Sequence, residues 1–271
     1  MNDTLLQDDA TQASRLYVYA IVRNGPRSPI TMPAVADPLG TVWLEPIGGL
    51  AALVSNYVGD EIMPVRRNAL AHTRVLEAAL PDGPMLPMRF GVLVDDVAGL
   101  KRVIAPRAKD LEMLLDDLGG RVEVGIKARW NEDIIWTEIV AAHPDLGRVG
   151  NRLKRLSKGE GYYDRIDLGR KVEAAIADKR IAEAEKLQRF LDPFVVRQKQ
   201  LNQTDDMTYF HTAVLVEADQ ESALFDAVTR YESVQPHRLI LKVISPVPAY
   251  NFVAVSLDWS AGESVRLKES A

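Results

Sequence analysis

The sequence predicts an α+β protein of two domains, and three observations carry that prediction. Short apolar strands separated by turn signals open the chain and return near its end. A clean alternation runs over 121–130, with Val122, Val124, Ile126, Ala128 and Trp130 on one face and Glu123, Lys127 and Arg129 on the other. The stretch 132–200 carries helical spacing and no strand signal. The expected layout is a flexible tail over 1–14, an N-terminal ferredoxin-like α/β sandwich over 15–131, and a C-terminal domain over 132–271. That last domain combines a long helical segment with a small ferredoxin-like α+β unit, and the boundary is expected between 131 and 144.

The elements follow in order. Residues 16–22 are apolar on both faces, which marks a central strand. Residues 24–38 are rich in Pro, Gly and Ser and read as an exposed loop. Strands are expected over 41–47 and 50–57, joined as a hairpin at Gly48-Gly49. A helix over 66–80 places Ala69, Thr73, Leu76 and Leu80 on one stripe and stops at Pro81-Asp82-Gly83-Pro84. The tract Leu86-Pro87-Met88-Arg89-Phe90-Gly91 reads as an irregular edge strand, because proline cannot donate a ladder hydrogen bond and Gly91 signals an unusual dihedral. A helix from about Asp96 buries Val97, Leu100, Ile104, Leu111, Leu114 and Leu118; Pro106 should split it, and Gly119-Gly120 should end it. With the strand at 121–130, this order is close to a split βαβ unit with an added hairpin strand.

In the second half, helical spacing over 134–156 is interrupted at Pro144 and Gly147. A long charged helix over 164–191 carries a narrow stripe of Val172, Ile176, Leu187, Phe190 and Phe194, with Asp167–Lys171 and Glu185–Arg189 spaced as helical ion pairs. A strand over 208–217 follows, then Asp219 as a candidate N-cap and a helix over 220–231 that buries Leu224, Val228 and Tyr231. A strand over 238–244 ends at Pro246 and Pro248, and 252–255 resumes an extended path.

Composition narrows the function classes. Hydrophobic residues make up 47% of the 271, enough for real cores, and a net charge of −5 is too weak to argue for nucleic acid. The lack of cysteine removes disulfides, thiolate metal sites and cysteine nucleophiles together, and fits a reducing cytosol. No apolar run approaches the roughly 18 residues that a membrane span needs, and residues 1–13 lack a signal-type apolar core. A cytoplasmic location is therefore expected.

Candidate chemistry is sparse. None of His72, His143, His211 and His237 pairs at metal-helix spacing. His72 lies beside Ala69 and Leu76 and reads as a core-edge histidine satisfied by its neighbours rather than a ligand. Phosphate loops and a GxSxG elbow are absent. Gly159-x-Gly161 reads as a helix entry, with an anion held at the helix N-terminus as the alternative. The basic clusters Arg66-Arg67 and 152–155 read as solvated helix surface. Arg89, standing in an apolar tract, is expected to hold a carboxylate or carbonyl partner. No catalytic, cofactor-binding or metal-ligating residue is expected.

Taken with Gly159-Glu160-Gly161-Tyr162-Tyr163 and Ser245-Pro246-Val247-Pro248-Ala249-Tyr250-Asn251-Phe252-Val253, the Leu-Pro-Met-Arg-Phe-Gly tract gives a chain that resembles the gas vesicle protein GvpL/GvpF family. The likeness also runs through 17–22, 49–55, the helix with His72, and 122–127. In the last segment Ser245, Val247 and Ala249 stand where the family usually has Gly, Trp and Pro. The resemblance implies the same two-domain α+β layout. It also implies a noncatalytic accessory or minor structural protein that binds the hydrophobic major gas vesicle shell protein and other accessory proteins in support of vesicle assembly. It marks Leu86, Pro87, Arg89, Phe90, Gly91, Gly161, Tyr162, Pro246, Pro248, Tyr250 and Phe252 as positions with structural or partner-binding roles. The competing expectation is an enzyme or a small-molecule-binding regulatory module on a tandem ferredoxin-like scaffold.

Overall fold

A computed structural model describes residues 14–157, 160–253 and 257. The expected tail and the continuation of the last extended segment past Val253 thus lie mostly outside the described residues, as does Gly159. The chain is α+β with two antiparallel sheets, and it divides into two compact units. The first comprises the chain up to Arg121 together with the segment from Pro246, and the second is Val122–Ser245.

The first unit is built on β1 (Ser14–Arg23), β2 (Val42–Ile47) and β3 (Leu50–Val58). They are followed by α1 (Arg66–Ala79), β4 (Met85–Pro87), β5 (Leu93–Val94), α2 (Val97–Ile104) and α3 (Ala108–Leu118). The strand order is β2-β3-β1-β4, with β5 also on β1. β1 is buried from Leu16 to Val22, as a strand apolar on both faces should be. Its register with β3 shifts between Val18 and Ala20, which leaves Tyr19 as a bulge. Gly48, at φ +63°, closes the β2–β3 hairpin. Pro87 sits on the edge strand, opposite Ala20. Past it, the Met88 N–H donates to the Tyr19 carbonyl at 2.8 Å, and the chain bends out through Gly91 at φ +94° before β5 resumes. Pro106 splits the next helix into α2 and α3 around a short 3-10 turn, as expected.

Two stripes differ from expectation. In α1 the buried residues are Asn68, His72, Val75, Leu76 and Ala79, whereas Ala69 and Thr73 are exposed. One residue is 100° of helix rotation, and the expected Ala69 and Thr73 each stand one residue past a buried position, Asn68 and His72. In α3 Leu115 is buried and Leu114 only partly so: Leu115 continues the stripe of Leu100, Ile104 and Leu111 at helical spacing, and Leu114 lies beside it.

The second unit holds most of β6 (Arg121–Trp130), then α4 (Glu132–Ala142), α5 (Pro144–Leu153) and α6 (Tyr162–Leu191). After them come β7 (Arg197–Gln200), β8 (Thr208–Glu217), α7 (Glu221–Ser233) and β9 (Leu239–Val247). Its sheet has the order β7-β8-β6-β9. From Val124 on, β6 alternates as expected, but Glu123, placed on the wet face by the sequence reading, is buried; the strand pairs in this sheet, so the chain divides at 121/122 rather than within 131–144. Alternation identifies a strand without naming its partners. The long helical segment is therefore the crossover from β6 to β7. Trp130 shows why β6 belongs here: it is buried, stacks on Tyr209 with ring centroids 4.9 Å apart, and donates its indole N–H to Glu183 of α6 at 2.8 Å.

Smaller corrections follow. Pro144 starts a new helix, but Gly147 lies inside it. α6 buries Ala175, Leu187 and Leu191; Val172, Ile176 and Phe194 pack partly against the core, while Phe190 is 38% exposed. Asp219 falls within a 3-10 turn, and no side chain caps α7. β9 runs through Pro246, which is tolerated because the strand is an edge.

Candidate functional site

Several of the residues singled out in the sequence converge on His72. α1 turns this side chain inward against β1, where only 3% of it remains exposed. Its Nδ1 lies 2.7 Å from the Tyr17 hydroxyl and its Nε2 lies 2.8 Å from the Tyr250 hydroxyl. Its ring stacks on Tyr19 at 5.6 Å and meets Phe90 edge-on at 6.0 Å. The Gly91 N–H donates to the Tyr17 oxygen at 3.3 Å, and the Val35 N–H donates to the Tyr19 oxygen at 2.9 Å. Tyr19 also shares a 3.1 Å hydrogen bond with Ser55. The positive φ at Gly91 aims its N–H at this cluster.

A neutral imidazole has one donor and one acceptor nitrogen, and a tyrosine hydroxyl can serve either, so the neutral ring is satisfied at both ends. Burial holds the His72 pKa down at about 4, with a hydrogen bond to the Met88 backbone pulling weakly the other way. Burial likewise raises the tyrosines Tyr17, Tyr19 and Tyr250. The cluster is thus uncharged at neutral pH. Its polar atoms are consumed by one another, which suits a polar clamp in a core more than a group poised for proton transfer.

The other motif residues are distributed around it. Leu86 and Pro87 are buried in the edge strand, and Pro248 is buried near Tyr250 in sequence. Pro246 is exposed and Phe252 half-buried. Arg89 is exposed, and among the described residues no carboxylate pairs with it: the outward bend before Gly91 carries it to solvent, against expectation. Gly161 and Tyr162 lie in the second unit. Gly161 is the left-handed residue at the entry to α6, and a Cβ there would meet Leu153 Cδ2 at 2.8 Å, so the position needs glycine.

The second unit has its own charged cluster, for which no motif or spacing in the sequence is a signal. Arg238, in the turn just before β9, bridges Glu138 of α4 and Glu183 of α6, and Lys179 reaches the same carboxylates at 2.9 and 3.3 Å. The Arg238 hydrogen bond holds Glu138 down at about 2, against the cost of burial. Burial opposes ionisation of Glu183, but hydrogen bonds from Arg238 and Trp130 outweigh it and keep its pKa low. An open hollow of about 480 Å³ lies between α6 and β8, lined by Arg180, Ile181, Tyr209 and His211 among others. His211 is already bonded through Nδ1 to the Asn202 carbonyl at 2.7 Å.

Residues 15–254 match the model of the family described as gas vesicle synthesis protein GvpL/GvpF. The chain belongs to this GvpL/GvpF family. Among family members, it is 30% identical over 238 residues to gas vesicle protein F of Streptomyces sp. (strain CB03234), a match covering 88% of this chain and 98% of the relative. It is 24% identical to gas vesicle protein F of Nostoc sp. (strain PCC 7120 / SAG 25.82 / UTEX 2576), covering 90% of this chain and all of that one. The fold matches the crystal structure of GvpF from Anabaena sp. PCC7120, with a TM-score of 0.75 at 22% identity, over 90% of this chain and 97% of that one. GvpF from Microcystis aeruginosa matches with a TM-score of 0.73 at 21% identity, over 89% and 99% of the two chains. These GvpF structures share the α+β fold described above. Among the described residues, no helix is long and apolar enough to cross a membrane.

Proposed function

We propose that this member of the GvpL/GvpF family is a noncatalytic accessory or minor structural protein that binds the hydrophobic major shell protein and supports gas vesicle assembly in the cytoplasm. The family match over 15–254 carries this reading. The physical need is a soluble partner for a subunit apolar enough to exclude water from a gas space, because such subunits aggregate unless their apolar faces are covered. The His72 cluster supports it, since its hydrogen-bonding capacity is spent inside the fold. The second unit supports it as well: its helices leave large apolar side chains such as Tyr162, Tyr163 and Ile181 in solvent.

The test is co-expression of the tagged full chain with the shell subunit, followed by affinity capture across a range of salt concentrations. The shell subunit should be retained. Loss of retention at every salt concentration would refute the reading, as would a strain lacking the gene that still builds normal vesicles.

A further inference from the structure

Among the described residues, two buried side-chain polar atoms have no hydrogen-bond partner: Arg180 Nε and the Tyr209 hydroxyl. Tyr231 lies near the Tyr209 hydroxyl, but not in hydrogen-bonding geometry with it. Native folds pair nearly all such atoms, so an exception asks for a cause. Both residues line the same hollow, between α6 and the β7–β8 hairpin. Its volume of about 480 Å³ is that of a small-molecule site.

The lining has one fixed charge. Arg180 is its only lysine or arginine, and no aspartate or glutamate belongs to it. Arg180 commits an N–H to the Asp206 carbonyl at 2.8 Å, and among the described residues no carboxylate forms an ion pair with it. A guanidinium has five N–H donors, so most of its capacity is unspent. Across the hollow, His211 Nδ1 lies 2.7 Å from the Asn202 carbonyl. A carbonyl only accepts, so Nδ1 holds the proton and Nε2 is the ring nitrogen left for another partner. The carboxamides of Gln200 and Asn202 are exposed and supply further N–H donors.

We infer that this hollow binds a small organic molecule through its carboxylate, received by Arg180 and by the carboxamides of Gln200 and Asn202. The planar guanidinium meets two carboxylate oxygens side by side, and a turn of the guanidinium toward the ligand brings Nε into that pair. One fixed cation balances one negative charge; a phosphate, at about −1.5 to −2, would stay partly unbalanced. The Tyr209 hydroxyl is a further donor for the rest of the molecule, and Ile181 and Ala184 give it apolar contact. Every lining residue lies within the second unit, and the inference does not rest on the assembly role proposed above.

Nuclear magnetic resonance of the labelled full chain tests it, with acetate, lactate, gluconate and inorganic phosphate added separately at constant ionic strength and pH. At least one of the three carboxylates should move the His211 imidazole signal saturably and leave that of His72, in the first unit, in place. Arg180→Gln should weaken this binding at least about tenfold, the scale of a lost charge-assisted hydrogen bond. Gln200→Glu, which sets a negative charge at the exposed rim, should weaken it comparably. Lys186→Gln removes a cation of α6 that does not line the hollow and should change nothing. Thermal melts matching the unaltered chain establish that each variant folds; should Arg180→Gln fail to fold, Gln200→Glu decides alone. Shifts no larger than equal concentrations of chloride produce would overturn the inference, as would undiminished binding in the folded variants. Saturation by phosphate at a lower concentration than by any carboxylate would overturn the carboxylate assignment. None of these outcomes alters whether the chain retains the shell subunit, so the two readings stand or fall separately.

Discussion

His72 stays uncharged at pH 7 because its imidazole is buried between two tyrosine hydroxyls with no carboxylate among its bonded partners. An unfolded histidine titrates near 6.5, so between about pH 6.5 and the folded value of about 4 the unfolded chain binds the extra proton. Stability therefore rises with pH across this window: the contribution is complete above 6.5 and is lost as pH falls toward 4. The shift corresponds to about 3 kcal/mol. Denaturant unfolding of the unaltered chain and of His72→Gln at several pH values should show this acid-side loss in the first and not in the second. Tyr250→Phe should cost about 1–3 kcal/mol at pH 7, because it leaves His72 Nε2 buried without its partner; urea titration would measure it, and an unchanged midpoint would contradict the clamp. The sequence made His72 legible as a satisfied core histidine but not its partners. Tyr250 lies 178 residues away, and no periodicity links positions at that distance. Arg89 misled for a related reason: an apolar neighbourhood in sequence does not bury a residue when the backbone bends outward beside a glycine.

Among the elements, the helices of the second unit are tied to the sheet by Arg238, which faces Glu138 of α4 and Glu183 of α6 with Lys179 alongside. Arg238 is 19% exposed at its side chain, so its pairs are screened less than surface ones, and hydrogen bonding to both carboxylates raises its pKa further. Arg238→Ala should destabilise the protein by about 2–4 kcal/mol, less than for a fully buried pair, because two partly desolvated carboxylates lose their main cation. A double-mutant cycle with Glu138→Gln should show strong coupling, and additive effects would mean that the pair contributes independently. Most elements were legible in the sequence because each rests on local information: apolar spacing, Pro106 splitting a helix, and Gly48-Gly49 closing a hairpin. The cluster at Arg238 was not, since its members come from three separate elements and look like ordinary solvated charges in sequence. The same limit hid the true sheet of β6, whose alternation would serve either unit.

For the whole molecule, each unit has a sheet whose four main strands, counted in chain order, lie second, third, first, fourth. In the second unit a helical crossover separates the first two strands; in the first unit the loop between Arg23 and Val42 takes that place. The ferredoxin-like expectation for the first half therefore came from the right local elements with one strand too many. The units also differ in how they close. The core around Trp130, Leu187, Val214 and Leu224 is drawn entirely from 122–245, whereas the His72 clamp needs Tyr250 from the far end of the chain. A fragment of residues 122–245 should accordingly fold alone, with a cooperative thermal transition and native far- and near-ultraviolet dichroism. A fragment of residues 14–121 lacks Tyr250 and leaves one side of His72 unpartnered, so it should unfold at lower urea than the same fragment joined by a flexible linker to residues 246–257. Equal urea midpoints for the two versions of the first unit would show that the returning segment contributes nothing to its stability. A non-cooperative melt for 122–245 would show that its sheet and core are not sufficient to specify the fold.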